Sequence, residues 1–461
     1  MPLILGTNSI KDTGYEVANS ANFESANSQA LSKDYSGTHS DTNQGTWSMW
    51  IKRAKLTTRM KIFGAYIDGN DSGQNLEFQA NDTLRYRAGS GSSDINITNA
   101  VYRDPSAWYH IVVQQDSDAS GASNQVKIWV NNTLQTLSTN NGAPGIIQFG
   151  HADATANSII GAEESAGNST YFDGYMAEFA YCDGQKLAPT SFGEYDEDSP
   201  TIWKPKDLSD LTFGNQGVWL DFETSGTMGN DVSGNNNDFA TEDNAVEQKT
   251  DTPTNNFATW NPLAYSGKTA MIEGNLQGYG DDNDSRNEGG IATIGVSAGK
   301  WYWENKISAV GGGASLGIYP DTNHNTISNA STELHQGDPS IFYKSDGNKQ
   351  VDDSSSSYGD SYTTNDIISV ALNLDDNEIK FYKNGTVQNS GTAVAVTSIS
   401  PDFYFPVQAG LTNSSITGNF GNPTYANSSD AADAKGYGAF EYAPPSGFLA
   451  LCSKNLGSDG G

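Results

Sequence analysis

Short runs of alternating apolar and polar residues punctuate this chain, separated by turn residues, and no convincing long helix interrupts them. Thr46-Trp47-Ser48-Met49-Trp50-Ile51-Lys52 alternates with period two, which puts Trp47, Met49 and Ile51 on one face of a strand. Lys61 to Ile67, Leu76-Glu77-Phe78 and Leu84-Arg85-Tyr86 read as further strands. Trp108 to Val113 is the most strand-like run of the first half. Val126 to Leu137, Ser158 to Gly161 and Phe172 to Tyr181 complete that set. Such spacing between turn signals is what a β-sandwich or barrel requires. Val218 to Phe222 reads as another strand. Lys300 to Lys306, Ser315 to Ile318, Ile341 to Lys344, Ile367 to Leu374, Ile379 to Lys383 and Phe403 to Val407 form a second set.

Two hairpins about 250 residues apart are spelled nearly alike: Ile128-Trp129-Val130-Asn131-Asn132-Thr133-Leu134-Gln135 and Phe381-Tyr382-Lys383-Asn384-Gly385-Thr386-Val387-Gln388. Asn-Gly is the strongest short-range signal for a type I′ turn, whose two central residues both need positive φ. Asn-Asn is a weaker form of the same signal. The pattern predicts an all-β chain of two sandwiches in tandem. The predicted boundaries are 1–198 for the first, 199–266 for a linker with long loops, and 267–461 for the second. At the seam between the first domain and the linker, Asp196 to Leu211 shows little periodicity, and Glu194-Tyr195-Asp196-Glu197-Asp198 reads as a solvated acidic stretch. Residues 352–360 are rich in Ser and Asp and read as a mobile loop.

Composition narrows the picture. A length of 461 residues allows two or three domains, and 36% hydrophobic residues suffice for real cores. The 49 glycines fit many tight turns. The formal charge of −30 repels nucleic acid and anionic membrane surfaces, so neither is expected as a partner. Cys182 and Cys452, one late in each predicted domain, give no disulfide framework and are expected as buried free thiols. The opening residues Met1 to Gly6 do not form a signal peptide, and no stretch approaches the roughly 20 apolar residues of a membrane-spanning helix. Synthesis in a cytosol without a visible export signal is the expectation.

These residues resemble two known families. Trp47 to Lys52, Trp108 to Val113, the Val130-Asn131-Asn132 turn and Phe172 to Glu178 resemble, in order and spacing, a laminin-G-like (concanavalin A-like) domain over roughly residues 15 to 195. Asn132 stands where that family usually has Gly. Gly299 to Glu304, Asn365 to Ile368, Lys380 to Gly385 and Tyr404 to Val407 resemble a SPRY domain. Both resemblances imply concanavalin A-like jelly-roll sandwiches, which accounts for the echo between the hairpins. The whole arrangement is similar to virion proteins of tailed phages, particularly marine ones. Met1 to Ser9, Leu220 to Phe222, Gly229 to Asp238, Asp251 to Phe257 and Pro444 to Phe448 carry that likeness. It implies a tail fibre, capsid fibre or decoration in the virion, with other virion proteins and a host-surface glycan or protein as partners. Fibres of this kind are often trimers. A purely structural virion connector without a ligand is the alternative, and a secreted lectin or glycanase a second one.

Candidate chemistry is sparse. Concanavalin A-like glucanases resemble one another in a Glu-x-Asp-x-x-Glu strand, and Glu194 to Asp198 lacks its last Glu. No catalytic residues are expected. The five histidines show no metal or triad spacing, and His110 reads as structural. Asp231, Ser233, Asn235, Asn237 and Asp238 place side-chain oxygens around Gly234 in the manner of a calcium loop, although the terminal bidentate Glu is missing. Asx turns around Gly234 are the structural alternative. Asp68 to Asp71 and Asp281 to Asp284 are weaker versions. Trp47, Trp108, Trp301 and Trp303 read as core. Tyr66, Tyr102, Tyr171 and Tyr358 are the candidate loop aromatics for stacking on a sugar. Gly311 to Gly313 reads as a turn.

Overall fold

The structure is a computed structural model that describes residues 14–65, 73–88, 94–143, 145–151, 157–162, 170–197, 199–265, 271–279, 288–320, 334, 340–396 and 403–459. Two compact units divide these residues, Asp12–Thr254 and Asn255–Gly461. The described part is almost all β, with two short α-helices at Ala122–Gln125 and Ser453–Asp459.

The first unit is a sandwich of two eight-stranded sheets. One runs in the order Thr133–Leu134, Val126–Val130, Trp108–Asp116, Gln44–Arg53, Gly174–Asp183, Ser20–Phe23 and Glu247–Lys249, with Val218–Leu220 also paired to Gly174–Asp183. The facing sheet runs Leu137–Asn140, Ile95–Val101, Thr83–Arg87, Gln74–Phe78, Met60–Ala65, Asn157–Ile160, Gln29–Asp34 and Ala240–Asp243. The period-two reading holds residue by residue. Trp47, Met49 and Ile51 point into the core between the sheets. Trp50, one step out of phase, stacks on His110 on the opposite face, with ring centroids 4.6 Å apart.

The predicted linker is not a linker. Trp219 pairs with Ala180, Thr241 with Leu31, and Gln248 with Ala21, so the chain up to Thr254 completes both sheets of the first unit. The seam before it is a covering layer. Phe192, Leu208 and Phe213 pack with Val112, Ala180 and Cys182 on the sheet's outer face. The acidic stretch at Glu194 also belongs to structure, because Gly193–Tyr195 pairs with Trp203–Pro205.

The second unit pairs a seven-stranded sheet with an eight-stranded one. The first runs Trp260–Tyr265, Glu288–Ala292, Tyr404–Gly410, Ala314–Pro320, Ile341–Lys344, Asn348–Val351 and Ser354–Ser357. The second has Gln277–Tyr279, Ser415–Asn419, Lys300–Ala309, Ile367–Asn373, Glu378–Lys383 and Thr386–Val387 in order. Val394–Ala395 pairs with Glu378–Lys383, and Leu449–Ala450 pairs with Lys300–Ala309. Trp260, Trp301 and Trp303 fill the core with Phe381 and Phe420. The second unit begins before residue 267, since Trp260 pairs with Ala292. Residues 354–357, expected as part of a loop, form an exposed edge strand on Asn348–Val351. Four serines there supply backbone pairing with no apolar face for periodicity to detect. Cys182 and Cys452 are buried free thiols, both pushed up to about 12 by burial.

Candidate ligand-binding groove

The Asp231–Asp238 loop is held by amides rather than arranged around an ion. Asp231 Oδ1 accepts from the backbone N–H groups of Trp219 (3.0 Å) and Ser233 (2.9 Å). Its Oδ2 accepts from Ser233 Oγ (2.9 Å) and the Asn237 N–H (2.7 Å). Asp238 Oδ1 accepts from the Asp231 N–H at 2.9 Å. Calcium needs six to eight oxygens, and here both Asp231 oxygens already serve donors. The candidate calcium set is therefore corrected to an Asx-turn clip. Among the described residues no group of three His, Cys, Asp or Glu is placed to hold a metal. Asp68 to Asp71 and Asp281 to Asp284 lie outside the described residues.

The clip does structural work on its neighbour. Asn235 Nδ2 donates to the carbonyls of Gly214 (2.7 Å) and Gly217 (3.0 Å), and Asn237 Nδ2 donates to Gly217 O at 2.9 Å. These bonds fix the Gly214–Gly217 bend. Beside it opens a polar cavity of about 360 Å³, lined by Lys33, Asp34, Ser36, Gly37, Thr38, Asn215, Gln216 and Asn237. Gln29–Asp34 brings Lys33 and Asp34 to the rim, and the residues that follow that strand bring Ser36 to Thr38.

Gln216 is the notable member. It is 3% exposed, and its Nε2 has no hydrogen-bond partner. A buried amide donor left unpartnered costs about 1–3 kcal/mol. The amide packs directly against Gly37, where any Cβ would collide with it. Its position is set from behind: the Gln216 N–H donates to Asp183 Oδ2 at 3.1 Å, the Ser40 N–H to the same oxygen at 2.7 Å, and His39 Nδ1 contacts Asp183 Oδ1 at 2.7 Å. Burial acts to raise the Asp183 carboxyl, but these hydrogen bonds outweigh it and hold it below the usual carboxylate range. His39 and His151 lie with ring centroids 5.8 Å apart.

The tyrosines expected at loop tips are placed elsewhere. Tyr102 and Tyr358 are core residues, 6% and 5% exposed. Tyr102 donates to Gln135 Oε1 at 3.0 Å, and Tyr358 sits edge-on to Tyr343 and Phe381. Both are corrected from ligand aromatics to packing residues, because each follows or precedes a strand closely enough to be drawn under it. Tyr171 is half-buried against Ala30, Ile159 and Ala162. Tyr66 lies outside the described residues. His110 is structural: it is buried, touches Ser48 Oγ (2.8 Å) and accepts from Trp203 Nε1 (2.9 Å), and burial lowers its pKa to about 3. Glu194 and Asp196 face Lys204 Nζ at 3.7 and 3.4 Å, an ion-paired ribbon rather than a cleft.

Gln216 and His39 escaped sequence reasoning because each is a single polar residue in a turn-rich stretch. The one usable signal was the Gly214-Asn215-Gln216-Gly217 spelling, with glycines bracketing two amides.

Fold and groove together define a tandem of antiparallel β-sandwiches with a polar, ligand-sized depression on the first. Comparison with known families agrees with the architecture. Residues 24–186 match the laminin G group described as the concanavalin A-like lectin/glucanases superfamily, and residues 300–423 match the SPRY domain. The laminin G-like match thus precedes the SPRY match along the chain. No curated protein matches it significantly. Among solved structures it is similar to a human SPRY domain, at 19% identity over 31% of this chain and 90% of that one, with a TM-score of 0.25. A candidate carbohydrate-binding protein from Bacteroides ovatus shares 16% identity over 51% of this chain and 60% of that one, with a TM-score of 0.37. The heptameric pentraxin of Limulus polyphemus shares 12% over 50% and 96%, with a TM-score of 0.30. These likenesses are too distant to bear on function. No described helix is long and apolar enough to cross a membrane.

Proposed function

We propose that this protein is a non-enzymatic adhesin that binds a host-surface glycan in the groove of its laminin G-like domain, as part of a virion appendage. The polar lining of that groove, with a cavity of about 360 Å³, carries the reading. Ser36, Thr38, Asn215 and Asn237 line it with side chains that can make directional bonds to a polyhydroxylated ligand. Among the described residues Asp34 is the one carboxylate lining the cavity, whereas glycoside hydrolysis uses two. The virion setting rests on the sequence's similarity to tailed-phage structural proteins. There, many copies would convert weak single contacts into useful avidity.

A glycan array and a whole-cell binding assay, run with the protein displayed multivalently, test this. Saturable binding competed by free sugar is expected, with at least a tenfold loss in Asn215→Ala and an unchanged circular dichroism spectrum. No binding at multivalent density would overturn the adhesin and leave a structural virion component.

A further inference from the structure

The two histidines behind the groove have no place in glycan binding, yet their nitrogens are not idle. His39 Nε2 and His151 Nδ1 are both shielded from solvent, and neither has a hydrogen-bond partner. His39 Nδ1 lies 2.7 Å from the Asp183 carboxylate. The other oxygen of that carboxylate accepts the Ser40 and Gln216 N–H groups, so Asp183 serves as an acceptor, His39 Nδ1 donates to it, and Nε2 is the nitrogen turned away from it. An imidazole whose far nitrogen is bound to a carboxylate is the arrangement found behind metal-ligating histidines, where it fixes tautomer and ring orientation.

The spacing agrees. Imidazoles sharing one ion at about 2.0–2.1 Å stand roughly 5–6 Å apart between centroids, and these two are 5.8 Å apart. Gly150, at φ +82°, lets the rings approach: a Cβ there would stand 3.2 Å from His39 Cε1. We infer that His39 and His151 form a two-nitrogen site for a borderline transition-metal ion, with Asp183 as the outer carboxylate and water completing the coordination. No third His, Cys, Asp or Glu joins them among the described residues. The ligand type selects copper, nickel or zinc over calcium or magnesium, which prefer oxygen.

The test uses the full chain without an affinity tag. Cu²⁺ and Zn²⁺ are titrated calorimetrically, and the copper form is examined by electron paramagnetic resonance. Saturable binding of one Cu²⁺ per chain is expected, with a signal from two imidazole nitrogens, weaker Zn²⁺ binding and none of Ca²⁺. His151→Ala, at a half-buried position, should weaken Cu²⁺ at least tenfold, and Asp183→Asn by about 10–100-fold. Glycan binding should survive His151→Ala, which separates failure of this site from failure of the groove. Absence of saturable Cu²⁺ binding, or full-affinity binding in both His151→Ala and His39→Gln, would overturn the assignment. Should His39→Gln not fold, His151→Ala decides alone.

Discussion

The hairpin at Asn131-Asn132 in the first unit and the one at Asn384-Gly385 in the second are the same device set in two surroundings. Both central residues of each turn have positive φ: 47° and 60° in the first, 47° and 77° in the second. That is the type I′ geometry their spelling predicts. The leading Asn then clamps the neighbouring strand twice. Asn131 exchanges bonds with His110 through its N–H (2.9 Å) and Oδ1 (2.8 Å), and Asn384 does so with Ile367 at 2.8 Å each. Four residues on, the Gln135 and Gln388 amides each accept a hydroxyl from a core tyrosine, Tyr102 or Tyr343. What differs is the second turn residue. Asn132 supplies its own side chain, whereas a Cβ on Gly385 would stand 2.7 Å from the Tyr442 ring. The turn type is local, but the demand for glycine comes from a residue 57 positions away (442 − 385).

Glu304 in the second unit and Glu178 in the first, both buried, also sit in different surroundings, and Glu304 gives the largest expected effect. Glu304 accepts from the N–H groups of Glu441 (2.9 Å) and Tyr442 (2.8 Å), Tyr302 Oη (3.0 Å) and Asn419 Nδ2 (3.3 Å), two donors per oxygen. Burial still raises its pKa. Glu304→Gln turns one oxygen into a donor facing donors, and should destabilise the second unit by about 3–4 kcal/mol. Hydrogen exchange resolved by peptide would place the loss in that unit. A change below ~1 kcal/mol would mean the carboxylate is not needed there.

Gly385→Ala comes next. It combines about 1–2 kcal/mol for a left-handed alanine with displacement of Tyr442, so a loss of about 2–3 kcal/mol is expected. Asn132→Ala incurs only the backbone part, about 1 kcal/mol. Urea unfolding of the two variants compares them directly. Equal losses would show that Tyr442 yields freely and that the two turns are equivalent.

Much of this architecture was legible in the sequence, for identifiable reasons. The strands around Trp47, Trp108, Trp301 and Phe381 are long enough for period two to register, and the hairpins carry their turn chemistry in adjacent residues. The boundary at Thr254 was not legible. Val218–Leu220 registers as a strand but not as part of the first sandwich, and Ala240–Asp243 and Glu247–Lys249, with four and three residues, are too short for a pattern; the partners of all three lie far along the chain. The groove was less legible still. The Asp231–Asp238 spelling pointed to the right neighbourhood but the wrong chemistry, because the same side-chain oxygens serve an ion or a set of amides. Only the partners at Trp219, Gly214 and Gly217 distinguish the two.

Glu178 gives a smaller effect than Glu304 or Gly385, and one of opposite sign. It lies at a register shift in the strand Gly174–Asp183, with φ at +50°. It has two side-chain donors, Trp219 Nε1 at 2.8 Å and Tyr15 Oη at 3.2 Å. Burial outweighs them and pushes its pKa up to about 8. The unfolded chain releases this proton near pH 4.3. Between about pH 4.3 and 8 the native state therefore holds a proton that the unfolded state has lost. Stability should fall as pH rises through that window and level off above it. A glutamine resembles the protonated acid and has no proton to lose. Glu178→Gln should match the wild type near pH 4.5 and exceed it by about 1–2 kcal/mol at pH 9, where Glu304→Gln remains destabilising. Urea unfolding at pH 5, 7 and 9 checks this. An unchanged pH slope in Glu178→Gln, or a loss of stability at pH 9, would show that Glu178 is ionised in the native state. Glu178 and Glu304 would then differ in number of donors but not in charge.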